Sequence, residues 1–275
     1  MSSTLSRLGS YSVLLVGLFA TAYAVGEKLP GHEHTGDSVA HTDSHADSPT
    51  GAHESSHSSM GDGDAGLGLV DTVDGTRLVT DSVSATSVSF HLERAGAPVT
   101  SFIESHGAML HLVLVKIDLT GFQHLHPVLA ADGTWTTAAD LGEPGRWRLI
   151  ADSRPGSMTG PIVLGTALTI AGTEATTALP AAADTVDIGG LTVERHGLDF
   201  SVSPADQLEP YLGQAAHLIA LRAGDVAYLH LHPEADTLGN VKFAGALPGP
   251  GTYRLFLQFG NAGDVVTVPF TAVQA

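Results

Sequence analysis

Two stretches of the chain repeat one arrangement of histidines. His111, His124 and His126 form the first set and His217, His230 and His232 the second, each reading His-x12-His-x-His-Pro. Neutral imidazole ligates copper, nickel and zinc, and it is also the side chain that titrates nearest neutral pH. The chain has no cysteine, so disulfides, thiolate metal sites and cysteine nucleophiles are excluded. Any transition-metal site must be built from His, carboxylate or Met.

A second population of histidines, His32, His34, His41, His45, His53 and His57, lies in residues 27–66. Acidic, Ser, Gly and Thr residues surround them, with a single Lys28 and almost no large apolar side chain. Such a segment buries too little surface to offset its ordering entropy and is expected to be a disordered tether. Its imidazoles and carboxylates suit weak, exchangeable capture of metal; a plain polar spacer is the other reading.

The spaced histidines belong to an internal duplication. With an offset of 106, Gly107–Ile150 aligns onto Gly213–Phe256 without a gap, and 14 of 44 positions are identical. Those identities include all six histidines of the motif, Pro127/Pro233, Pro144/Pro250, Gly145/Gly251 and Arg148/Arg254. Each copy reads as short strands broken by Gly-rich turns. Leu110–Lys116, Phe122–His126, Arg146–Asp152 and Ile162–Ile170 stand out in the first copy. Thr185–Ile188, Ala216–Arg222, Ala227–His232 and Thr252–Phe259 stand out in the second. The pattern predicts an all-β chain of two tandem antiparallel β-sandwiches, Ig-like or cupredoxin-like in type.

Strand geometry decides which histidines can meet. Side chains two apart share a face, so His124 and His126 point the same way. Opposed residues in an antiparallel hairpin have a constant index sum. Loops at Asp118–Gly121 and Ala223–Val226 make that sum odd, which puts His111 on the face of His124 and His126, and His217 on that of His230 and His232. Three imidazoles on one patch of sheet suit a metal ion. Apolar residues on both faces, Val113 and Val115 against Leu112 and Leu114, equally suit central strands whose histidines are neutral core residues. Glu104, His106, Met109 and Glu234 are nearby candidates for further ligands, whereas His91 and His196 read as surface or loop residues.

The division expected is residues 1–26 as signal peptide or membrane anchor, 27–66 as tether, 67–171 as the first sandwich, 172–184 as linker and 185–275 as the second. Arg7 ahead of the apolar run Tyr11–Gly26 is an export signal, short for a bilayer span but within reach of one, and Ala22-Tyr23-Ala24 would serve as a cleavage site. The chain is therefore expected outside the cytoplasm, either anchored on the outer face of the membrane or secreted. A formal charge of −17 argues against nucleic acid. No Gly-x-Ser-x-Gly or phosphate-binding glycine loop is present, the one His-Glu-x-x-His string, His53–His57, lies in the tether rather than on an expected helix, and the Glu that would follow His-x-His in a cupin-type oxygenase is missing from both copies. The reading is not an enzyme, and no organic cofactor is implied.

Residues 109–135, MLHLVLVKIDLTGFQHLHPVLAADGTW, and 209–236, EPYLGQAAHLIALRAGDVAYLHLHPEAD, resemble a group of exported or membrane-anchored actinobacterial tandem β-sandwich proteins. That group is related to the YtkA-like type and associated with heavy-metal or copper handling. The resemblance implies the same fold and location, and His111, His124, His126, His217, His230 and His232 are the matching positions. An acidic-aromatic pair expected after the Arg-Leu strand is replaced by Asp152-Ser153 and Gln258-Phe259, so an acidic ligand there would be lacking in the second copy. The functional expectation is binding, buffering or chaperoning of a transition metal, copper or zinc, with a membrane metal transporter as partner. The competing expectation is a structural or protein-interaction module of the cell envelope.

Overall fold

The computed structural model describes residues 66–234 and 237–275. The apolar run Tyr11–Gly26 and the tether histidines lie outside the described residues. Among the described residues no helix is long and apolar enough to cross a membrane.

The first repeat contains β1 (Thr72–Val73), β2 (Thr76–Val83), β3 (Ser87–Arg94), β4 (Ala97–Pro98), β5 (Leu110–Lys116), β6 (Gln123–Leu125), β7 (Val128–Leu129), β8 (Thr134–Ala138), β9 (Gly145–Ser153) and β10 (Ile162–Ile170). The second contains β11 (Thr185–Ile188), β12 (Leu191–His196), β13 (Asp199–Ser203), β14 (Leu208–Glu209), β15 (His217–Arg222), β16 (Tyr228–Leu231), β17 (Asn240–Lys242), β18 (Gly251–Asn261) and β19 (Asp264–Gln274). Each repeat is a pair of antiparallel sheets. In the first, β1-β2-β3-β8-β7, with β4 on β3, lies against β10-β9-β5-β6. In the second, β11-β12-β13-β17 lies against β14-β18-β15-β16, with β19 also paired to β18.

The two central strands β5 and β15 carry the first histidine of each motif, and their two faces have different partners. Leu110, Leu112 and Leu114 enter the core of the first sandwich with Phe90, Trp135 and Leu149. Leu218 and Ala220 do the same in the second with Leu255 and Leu257. The alternate residues Val113, Val115, Ile219 and Leu221 instead pack together, with Ile150, Tyr228 and Phe256, in a third apolar core between the repeats. Phe122 stacks on Phe256 across that boundary with ring centroids 3.8 Å apart. Burying one such side chain is worth about 1.5–3 kcal/mol, so this core holds the two sandwiches against each other. The face that bears the histidines is the face that joins the repeats.

Local chemistry fixes the hairpins. Asp118 Oδ1 accepts the Thr120 backbone N–H at 3.1 Å, and Gly121 takes φ +64 where an added Cβ would sit 2.6 Å from the Trp147 ring. Strands β6 and β16 end one residue before the His-Pro step rather than on it as expected, because Pro127 and Pro233 offer no N–H to extend the ladder. Leu110–Lys116, Ile162–Ile170 and Thr185–Ile188 form strands with the expected ends, whereas β1, β4, β7 and β14 were not expected. His91 and His196 lie within strands β3 and β12; His196 is exposed, in keeping with the surface reading, and His91 is half-buried with its Nδ1 2.8 Å from Asp81. Residues 172–184 contain no strand but do not hang free. The buried Lys116 ammonium donates to the Ala175 carbonyl at 3.0 Å, and Asp118 Oδ2 accepts the Thr177 N–H at 2.8 Å.

Candidate metal centre

In each hairpin the pairing register follows the odd index sum. Val113 faces His124 and Leu112 faces Leu125 in the first repeat; Ile219 faces His230 and Leu218 faces Leu231 in the second. His111, His124 and His126 therefore share one face, as do His217, His230 and His232. Because that face is the boundary between the repeats, both sets meet in one cluster. The His111 ring lies 4.8 Å from that of His230, and the His124 ring 5.4 Å from it, centroid to centroid. Among the described residues two groups have ligand nitrogens close enough to hold an ion, His111 with His124 and His230, and His217 with His230 and His232. His230 belongs to both. The side chain of His230 is 3% exposed, and His111, His124 and His217 are buried.

The hydrogen bonds of these rings run outward and leave the inward nitrogens bare. His111 Nε2 donates to the Ser105 carbonyl at 3.1 Å, so its Nδ1 carries a lone pair. His124 Nδ1 donates to Gln258 Oε1 at 2.7 Å; the Gln258 amide is itself oriented by donating to Thr267 Oγ1 at 2.9 Å. His111 Nδ1 and His124 Nε2 then face each other at 3.0 Å, and His126 Nε2 stands 3.2 Å from the same Nδ1. The second repeat does likewise. His217 Nε2 donates to the Tyr211 carbonyl at 3.0 Å, which aims the bare Nδ1 at His230 Nε2, 3.2 Å away. His230 Nδ1 faces Asp152 Oδ2 at 3.5 Å, and Tyr228 Oη donates to that same oxygen at 3.1 Å. His232 Nε2 is buried with no hydrogen-bonding partner among the described residues.

Two lone pairs in contact repel unless a proton or a cation lies between them. Metal–nitrogen bonds of about 2.0–2.1 Å put neighbouring ligand nitrogens about 3 Å apart, which matches the spacing here. Outer bonds from carbonyl, amide and carboxylate are what orient metal-binding imidazoles. A proton is the poorer occupant. Burial lowers the proton affinity of His111 and His126, and pushes His124 and His230 well below the ordinary range, with repulsion from neighbouring rings adding to it. His217 is lowered to about 4 for the same first reason. Burial also raises Asp152.

Asp152 and Gln258 occupy equivalent places in the duplication, opposite His111 and His217 in the register. Each reaches across the boundary, Gln258 to His124 and Asp152 to His230. Equivalent residues making reciprocal contacts mark a local two-fold relation between the repeats. Of the other expected ligands, His106 stacks on His232 with centroids 3.4 Å apart, while Glu104 and Glu234 are exposed and belong to neither ligand group. Spacing alone did not reveal the partnership of Asp152 and Gln258 with the other repeat's histidines.

Residues 71–160 and 181–275 each match a domain of unknown function, DUF8832, so the chain belongs to that family and carries its domain twice. No curated protein matches the chain in sequence. Among solved structures, the FN1–FN3 domains of chicken CNTN1 align over 75% of this chain and 69% of that one, at 10% identity and a TM-score of 0.23.

Proposed function

We propose that this chain binds a transition-metal ion, copper or zinc, in the histidine cluster between its repeats, and that it buffers or passes on that ion outside the cytoplasm without chemistry of its own. The observation that carries the reading is the contact of bare imidazole nitrogens, His111 Nδ1 with His124 Nε2 at 3.0 Å, while every ring proton assigned there points outward. An all-nitrogen site with no thiolate suits copper and zinc. The likeness of the HLHP segments to exported, YtkA-like metal-handling proteins supports the same conclusion, and the export signal at Arg7 and Tyr11–Gly26 supports the location. The tether histidines His32, His34, His41, His45, His53 and His57 would gather ions loosely ahead of the cluster, with a membrane metal transporter as the exchange partner.

One observation favours the interaction-module reading: His111 and His217 are each bonded to a main-chain carbonyl, as core histidines often are. Titration separates the two. The full chain with its six tether histidines replaced by Asn is loaded with copper or zinc and its bound metal counted, beside the same protein carrying His124→Ala and His126→Ala. Loss of bound metal in the second protein is expected. Equal stoichiometry in the two would overturn the ordered site.

A further inference from the structure

The duplication makes the two sides of the cluster comparable position by position, and they differ in ligand chemistry. On the first-repeat side, His106, Met109 and Asp152 line a cavity of about 30 Å3 together with His111 and His230. That is room for an ion or a water, which needs at least about 10–15 Å3. Its rim reaches solvent, since Met109 is 41% exposed and His106 is also exposed. With the offset of 106, the counterparts are Leu212, Ala215 and Gln258. Leu212 and Ala215 carry no donor atom, Ala215 is buried, and the Gln258 amide is spent on His124 and Thr267. One side presents a thioether and an imidazole at the surface and a carboxylate further in. The other is a wall.

Resting on the metal-binding reading above, we propose that this cavity is the port through which ions reach and leave the cluster, with the Met109 thioether and the His106 imidazole as its outer ligands. A thioether at the mouth selects soft ions, so the species exchanged there is copper(I) rather than zinc(II). Charge agrees. Asp152 is the one carboxylate in the cavity wall and Arg154 lines it too, so with those two charges offset a monovalent ion leaves a smaller net charge in a buried place than a divalent one. Transfer is a ligand exchange with no change of oxidation state. The ion passes from a donor's ligands to Met109 and His106, then to His111 and His230 beside Asp152.

The test is kinetic. The full chain with Asn at the six tether histidines is loaded anaerobically with copper(I) under ascorbate, and release to a chromogenic copper(I) chelator is followed by stopped flow. The same is done for Met109→Leu, for His106→Leu and for the double variant. Release is expected to slow about tenfold on loss of the soft ligand and further in the double variant. The rate of zinc(II) release from Met109→Leu, an ion for which the thioether is a poor ligand, stays as it was. Copper release from Met109→Leu and from the double variant at the parent rate would overturn the port while leaving the metal site standing. A parent protein that retains zinc(II) but no copper(I) would overturn the port alone, and one that retains neither metal would overturn both.

Discussion

The two repeats contribute the same three imidazoles to the cluster and different surroundings. His111, His124 and His126 have a carboxylate from their own repeat close by, Asp152, whereas His217, His230 and His232 have the neutral Gln258 in that place. The amide bonds the first repeat's central histidine and the carboxylate faces the second's. The ligands are matched and the walls are not, so on the proposed reading the ring nitrogens would set what is bound, and the groups around them how tightly and from which side.

The largest test of that comparison is mechanical. Phe256 closes the core between the repeats by stacking on Phe122, and Ile150 is its counterpart. Phe256→Ala is expected to cost about 3–5 kcal/mol and Ile150→Ala about 2–5 kcal/mol in urea unfolding. A loss under about 1 kcal/mol for both would mean that the repeats are not held by this face.

The next test concerns the shared ring. His230→Ala removes a ligand from both groups and should lower copper affinity by at least about a hundredfold, more than His124→Ala, which touches only one. Equal losses, measured by competition with a chelator, would dissolve the distinction between the two groups. The orienting residues come third. Asp152→Asn and Gln258→Leu should each weaken binding by about 10–100-fold. Asp152→Asn is expected to cost more, because it removes the only carboxylate from a cavity wall that also carries Arg154.

Acidity should act on both halves together. The folded imidazoles hold protons more weakly than unfolded ones, so the unfolded chain takes up more protons as pH falls. Metal-free protein is therefore expected to be stable above about pH 6.5 and to lose stability below it, a loss that for His217 is complete only near its lowered value of about 4. Thermal melts at neutral pH and at about pH 5 check this; a melting point that holds or rises on acidification would contradict neutral buried rings. The smallest expected effect is that of the exposed Glu234→Gln, within about 0.5 kcal/mol in stability and with no change in metal bound.

Much of this was legible in the residues. The odd index sum of each hairpin follows from the loop length, and it put the three histidines of each repeat on one face before any coordinates were needed. The apolar run Leu110–Lys116 announced a strand covered on both sides. It could not announce by what, because hydrophobic periodicity records that a face is dry without naming its neighbour. Packing of one repeat on the other decided that, and with it the fusion of two three-histidine patches into one cluster. Two-residue strands such as β1 and β14 carry no pattern to read. The reach of Asp152 and Gln258 across the boundary is a product of tertiary geometry, although their place opposite the first histidine of each motif was a usable clue.

Reciprocal contacts of this kind are what a symmetric dimer would make, and covalent fusion alters what such an assembly is allowed to become. Identical subunits must change in pairs: a methionine placed at one edge appears at the other, and an amide exchanged for an acid is exchanged twice. Joining the copies through residues 172–184, pinned at Lys116 and Asp118, lifts that constraint. A single chain can keep the symmetric nest of rings and still have a front and a back.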